Sequence, residues 1–173
     1  QVGQKIPGLN GKEFALSLVG SAALVAGDLL QSAAKDTQFQ NMAVGTAGAV
    51  GDNYLQITNG TTTVVPYYWK GGSISVYTAG TVAIGDEYTI TGISGTLTSG
   101  GAMKVYVDRP LRYAFTTSAK VVMQRSVYSG VIQLPATTPT GVPAGVAIFA
   151  GAAGSSTVES ACFIQTKGLV YVL

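Results

Sequence analysis

The sequence predicts an all-β chain: a β-sandwich or jelly-roll-like barrel with an extended N-terminal arm. Three observations predict it. Val, Ile, Thr and Tyr gather in short runs cut by Gly, Pro, Asn and Ser, the pattern of half-buried strands joined by turns. No long stretch carries the spacing of an amphipathic helix. The first dozen residues contain Gly3, Pro7, Gly8 and Gly11, a composition suited to an extended segment lying on a neighbour. We therefore expect an arm over 1–12 and a single β-rich domain over 13–173.

Taken in order, the uncharged run Phe14 to Gly27 comes first. It ends at Asp28, short of the roughly 20 residues that span a bilayer, and is read as folded structure. Ala26-Gly27-Asp28-Leu29 opens a strand, and Ala33 to Met42 has room for a helical turn or two. The glycines from Gly45 to Gly51 follow no βαβ pattern and precede no Gly-Lys-Ser/Thr, so they read as a flexible loop and not as a phosphate cradle. Next comes the clearest local signal, Tyr54 to Thr58 against Thr61 to Val65 across Asn59-Gly60. That dipeptide suits a type I′ hairpin turn, whose two central residues need positive φ. Asn59-Gly60-Thr61 also matches a glycosylation sequon, which the hairpin explains without secretion.

Further strands are expected at Ser73 to Tyr77, Glu87 to Ile93, Met103 to Val107, Tyr113 to Phe115, Val121 to Met123 and Val127 to Gln133. Pro135 to Pro143 reads as an extended connection. Strands at Gly145 to Phe149, Ala161 to Gln165 and Leu169 to Val172 close the chain. Short strands at regular spacing with turns between them indicate a sandwich or barrel.

Composition limits the chemistry. Only 10% of the 173 residues are charged and the net charge is +2, against about 25% charged residues in ordinary soluble domains. A surface this poor in charge suits a subunit covered by copies or partners, and it lacks the basic excess that holds nucleic acid. With no histidine and a single cysteine, a Ser/His/Asp triad, a Cys/His pair and the usual zinc sites are excluded. Cys162 lies in the apolar run Ala161 to Ile164 and reads as a buried small hydrophobe. Asp86 and Glu87 are adjacent at a strand start, so alternation sends them to opposite faces and they cannot share a substrate. No catalytic, cofactor or metal residue is assigned.

Two segments stand out as contact surfaces. Pro66-Tyr67-Tyr68-Trp69-Lys70, if extended, puts Tyr67 and Trp69 on one face and Tyr68 and Lys70 on the other. One face then belongs to the core and the other to a subunit interface or a stacking platform. Asp108-Arg109-Pro110-Leu111-Arg112 concentrates charge, and the forks of Arg109 and Arg112 suit carboxylates across an interface. With Lys5 and Pro7 of the arm, the candidate interface residues are Lys5, Pro7, Tyr67, Tyr68, Trp69, Arg109 and Arg112.

The C-terminal segment adds a resemblance. Gly130-Val131-Ile132, Pro143-Ala144-Gly145-Val146-Ala147, Ala150-Gly151-Ala152-Ala153-Gly154 and Phe163-Ile164-Gln165-Thr166-Lys167-Gly168 resemble, in that order, the ending of small β-rich proteins that decorate the heads of tailed bacteriophages. The resemblance implies a capsid decoration, or cement, protein. Such proteins are often trimeric, sit at the virion surface after assembly in the host cytoplasm, and bridge neighbouring major capsid proteins. No enzyme activity, cofactor, nucleic acid, membrane or small-molecule partner is implied. Two alternatives are another virion subunit, such as a tail tube or fibre, and a carbohydrate-binding β-sandwich using Trp69 and Tyr67.

Overall fold

A computed structural model describes residues 1–77, 85–155 and 157–170. The chain is all-β, with twelve strands among the described residues. They are β1 (Lys5–Pro7), β2 (Glu13–Val19), β3 (Leu29–Gln31), β4 (Met42–Thr46), β5 (Tyr54–Thr58), β6 (Ser73–Val76), β7 (Glu87–Gly95), β8 (Ala102–Val107), β9 (Lys120–Gln124), β10 (Ser129–Gln133), β11 (Pro143–Ala147) and β12 (Ala161–Lys167). Three short 3-10 turns complete the regular structure, at Leu9–Gly11, Thr37–Gln40 and Pro66–Trp69. No helix of the described residues is long and apolar enough to cross a membrane.

Where the sequence reading has one β-rich domain over 13–173, the chain divides into two compact units. Unit 1 comprises Gln1–Lys35 and Ser126–Leu173, and unit 2 is the insertion Asp36–Arg125. The division leaves no mark in composition, because it rests on strands distant in sequence that pair with one another.

Unit 1 is a sheet in the order β1-β2-β10-β3-β11-β12, with β12 also paired to β2 so that the sheet returns on itself. One pairing, β10 with β2, is parallel. The interior is built from small and branched side chains, among them Ala15, Val19, Leu30, Val131, Ala147 and Ile164. Small residues let the walls approach. Gly145, at φ +151°, runs so close to β12 that a Cβ there would stand 2.5 Å from the Gln165 carbonyl oxygen, a conformation and a contact that glycine alone tolerates. Cys162 is buried in this core, as its apolar neighbours predict.

Residues expected to form an extended arm on a neighbour are part of this unit. Lys5, Ile6 and Pro7 lie opposite Ala15, Phe14 and Glu13. The chain reverses through Asn10 (φ 57°) and Gly11 (φ 71°), whose left-handed backbone makes a tight turn. Gly11, one of the glycines that suggested extension, instead supplies part of this reversal.

Unit 2 is a closed antiparallel barrel in the order β4-β5-β8-β7-β6-β9. Alternation is clean: Leu55, Ile57, Met103, Val105, Ile74, Ile90 and Val121 point inward and are almost fully buried, as a small barrel filled by its own side chains requires. Sequence placed β6, β7, β8 and β9 within a residue or two. It missed β4, whose glycine-rich end reads as loop. Tyr113 to Phe115 makes only a single bridge, Phe115 to Gly48. The helical candidate shrinks to Thr37–Gln40, where the Asp36 carboxylate accepts from Gln38 N at 3.0 Å. The strand expected at Leu169 to Val172 lies partly outside the described residues, and Leu169 and Val170 are not in a strand.

The Asn59-Gly60 hairpin does not form. Both edges of β5 are taken, by β4 and β8, which leaves none for Thr61 to Val65. Asn59 is 3% exposed, and its amide nitrogen lies 2.8, 3.0 and 3.1 Å from the carbonyls of Leu97, Thr62 and Thr98. The residue is a buried clasp between loops, which also removes it as an accessible sequon.

Candidate functional site

Lys5 and Pro7 stand exposed on β1. Lys5 Nζ lies 2.7 Å from Glu13 Oε1, and the Thr166 hydroxyl donates to the Glu13 carboxylate (3.0 Å) and carbonyl (3.2 Å). The hydrogen bond from Lys5 holds the Glu13 carboxyl below its ordinary range, and the same bond raises the Lys5 ammonium. The charge expected to reach a partner is answered within the hairpin.

Pro66 to Trp69 is not extended. It forms a 3-10 turn opened by Pro66, whose fixed φ suits a first helical position. The turn carries Trp69 (2% exposed) and Tyr68 (8%) into the unit 2 core, while Tyr67 is half-buried. The Trp69 ring packs on Phe39 at 4.3 Å. Arg125 lies over both Trp69 (4.9 Å) and Tyr68 (5.4 Å), so its guanidinium caps the cluster through cation–π contact. Burial pushes the Tyr68 hydroxyl up to about 12 and lowers Arg125. Trp69 therefore has no face to offer a sugar or a base.

Arg109 and Arg112 converge on one end of the barrel. Arg109 lies over the Tyr88 ring at 4.9 Å and donates to the Glu87 carbonyl. The Arg112 amide donates to the Tyr88 hydroxyl at 3.1 Å, which in turn donates to Asp86 at 2.8 Å. Asp108 accepts from Thr89 N at 2.9 Å. Alternation at the strand start does separate Asp86 from Glu87, which is exposed. The two guanidinium side chains remain 49% and 62% exposed, so they anchor the barrel end and still present charge to solvent.

Of these seven residues, Lys5 and Pro7 belong to unit 1 and the other five to unit 2. Among the described residues no group of three or more His, Cys, Asp or Glu is placed to hold a metal ion, and burial raises the Cys162 thiol.

Two exposed features went unread in the sequence. On the outer wall of unit 2, Tyr54 and Tyr106 are cross-strand partners with ring centroids 6.0 Å apart, and Lys104 lies over Tyr54 at 4.8 Å. Strand alternation in Tyr54-Leu55-Gln56 and Lys104-Val105-Tyr106 carries that signal. The larger feature is apolar exposure. Of fourteen large hydrophobic side chains left exposed among the described residues, all but Val50, Tyr77 and Tyr106 lie in unit 1. Leu169 (92%), Leu9 (86%), Phe149 (64%) and Val142 (60%) are the most exposed of that unit. Comparison with protein-family models, with curated proteins and with solved structures finds no match to this chain.

Proposed function

We propose that this chain is a structural protein of a bacteriophage virion, a decoration protein that binds the assembled head and bridges its major capsid proteins. The observation that carries the reading is the concentration of exposed apolar side chains in unit 1 on a chain that is 10% charged. An excess of exposed apolar side chains suits a surface that a partner covers, and the resemblance of the segment from Gly130 onward points to a capsid as that partner. A cement protein does mechanical work. Each copy adds a modest contact between shell subunits, and repetition over the lattice turns weak contacts into strong attachment. A trimer fits this role, since it meets a symmetric lattice site with three equal contacts.

The test is attachment of purified protein to heads of the encoding phage assembled without it. Saturable binding at a fixed number of copies per head, with heads that then resist heat disruption, is the expected result. Failure to bind such heads, or self-assembly of the purified chain into tubes, argues for a tail or fibre subunit instead.

A further inference from the structure

The arginines of the chain are Arg109, Arg112 and Arg125. Arg109 and Arg112 are exposed, and each still reaches oxygen: Arg109 the Glu87 carbonyl and the Asp108 carboxylate, Arg112 the Asp86 carboxylate at 3.9 Å. Arg125 is half-buried and reaches none. Its guanidinium lies over the rings of Trp69 at 4.9 Å and Tyr68 at 5.4 Å, yet among the described residues it makes no hydrogen bond and no ion pair.

The fold holds it there. Arg125 follows directly on β9, and the chain that leaves the Pro66–Trp69 turn enters β6 beside it, with Ser73 opposite Gln124. At Gly72 a Cβ would stand 3.1 Å from the Arg125 Cα and collide with the Gln124 carbonyl, so glycine lets the turn close on the end of β9 and keep both rings against the guanidinium. Asp36 is the carboxylate that acts on Arg125, without pairing with it. It is engaged elsewhere, accepting from Gln38 N at 3.0 Å. Burial disfavours the Arg125 charge, and Tyr68 and Asp36 offset this only in part. A cation drawn partly out of water is costly without a partner, and aromatic rings offer no acceptor in the plane of its five N–H donors. Its nitrogens keep contact with solvent, so an incoming group can reach them.

We propose that Arg125 is a binding site for a carboxylate ligand, which its fork takes in two parallel hydrogen bonds. The site goes beyond the decoration reading and does not depend on it. Charge selects the carboxylate. One cation with Asp36 in its field suits a single negative charge, whereas a phosphate group brings about −1.5 to −2 at neutral pH.

Nitrogen-15 spectra of the arginine Nε–H groups in the full chain test it, with sodium acetate as the probe, sodium chloride at matched ionic strength as the control and sodium phosphate as the competing anion. Arg109→Lys and Arg112→Lys alter exposed side chains and assign the Arg125 signal by elimination. Acetate is expected to move that signal saturably in the millimolar range, with Trp69 emission changing in step, and to move the Arg109 and Arg112 signals far less. Arg125→Lys, which keeps the charge and loses the fork, is expected to weaken the emission response at least tenfold with far-UV circular dichroism unchanged; if this variant does not fold, the wild-type spectra decide alone. An Arg125 signal that acetate leaves in place, or moves no further than those of Arg109 and Arg112, overturns the proposal. Tighter binding of phosphate than of acetate overturns it too, as does an emission response that persists in a folded Arg125→Lys.

Discussion

The two units solve the same problem, closing a small sheet, with opposite exteriors. Outward positions of the unit 2 barrel carry Tyr54, Gln56 and Thr58 on β5, Lys104 and Tyr106 on β8, Ser73 and Ser75 on β6, and Lys120 and Gln124 on β9. Those of β2 in unit 1 carry Phe14 and Leu16. The charged residues divide accordingly: Lys5, Lys12, Lys35, Lys167, Glu13, Asp28 and Glu159 belong to unit 1, and the other eleven of the eighteen to unit 2. A wall that meets water alternates polar with apolar, whereas a wall apolar on both faces is built to be covered. The difference teaches that the low charge of the chain as a whole is an average over a polar-walled barrel and a more apolar sheet.

Substitution in the barrel core is the strongest way to break this comparison. Ile57→Ala removes a side chain at 0% exposure and is expected to lower the stability of unit 2 by about 2–5 kcal/mol. The single tryptophan, Trp69, lies in unit 2, so urea titration followed by its emission reports that unit. A self-sufficient barrel shows the full loss whether or not the chain is associated, and a midpoint that depends on protein concentration would contradict its independence.

Asn59→Ala is the next largest. It strips the donor shared by the carbonyls of Thr62, Leu97 and Thr98, and leaving such groups unpaired is expected to cost about 1–3 kcal/mol in the same titration.

Alkaline pH sharpens the contrast further. The Tyr68 hydroxyl is raised from 10.0 to about 12 by burial, so the folded state holds its proton more tightly than the unfolded state. The stability this contributes is complete below the unfolded value and is lost as pH rises from about 10 toward 12. Trp69 emission across that window is expected to shift at lower urea, and Tyr68→Phe to flatten the dependence.

The smallest effect belongs to Lys5 and Glu13. The Glu13 carboxyl is depressed, so its contribution holds above the ordinary carboxylate range and fades as pH falls through the lowered value; the Lys5 ammonium is raised, so its contribution holds below the ordinary lysine range and fades as pH rises through the raised value. The pair is exposed, and Lys5→Met is expected to leave thermal unfolding almost unchanged at moderate salt.

Much of the barrel was legible because alternation writes itself into a strand: Ser-Ile-Ser-Val of β6 and Lys-Val-Val-Met-Gln of β9 read inside and outside directly. Asn59-Gly60 misled because turn propensity is local, while β4 and β8 occupy both edges of β5. Pro66 to Trp69 misled because Pro66 starts a 3-10 turn as readily as it sits beside a strand. Phe-Ala-Leu-Ser-Leu-Val of β2 had been met as an uncharged run to be weighed against a membrane, and its meaning emerges once Ala15 and Leu16 are seen on opposite faces. The strand was thus present in the sequence, but its opposing strand, β12, lies near the far end of the chain.

That separation has a consequence for how the protein is made. Unit 2 is an insertion, so a growing chain completes its barrel while β10, β11 and β12 are still unsynthesised. Until then β2 lacks both β10 and β12, with apolar side chains open on either side. β2 is therefore made early and completed late, and a nascent chain that meets another before release is open to mispairing through it.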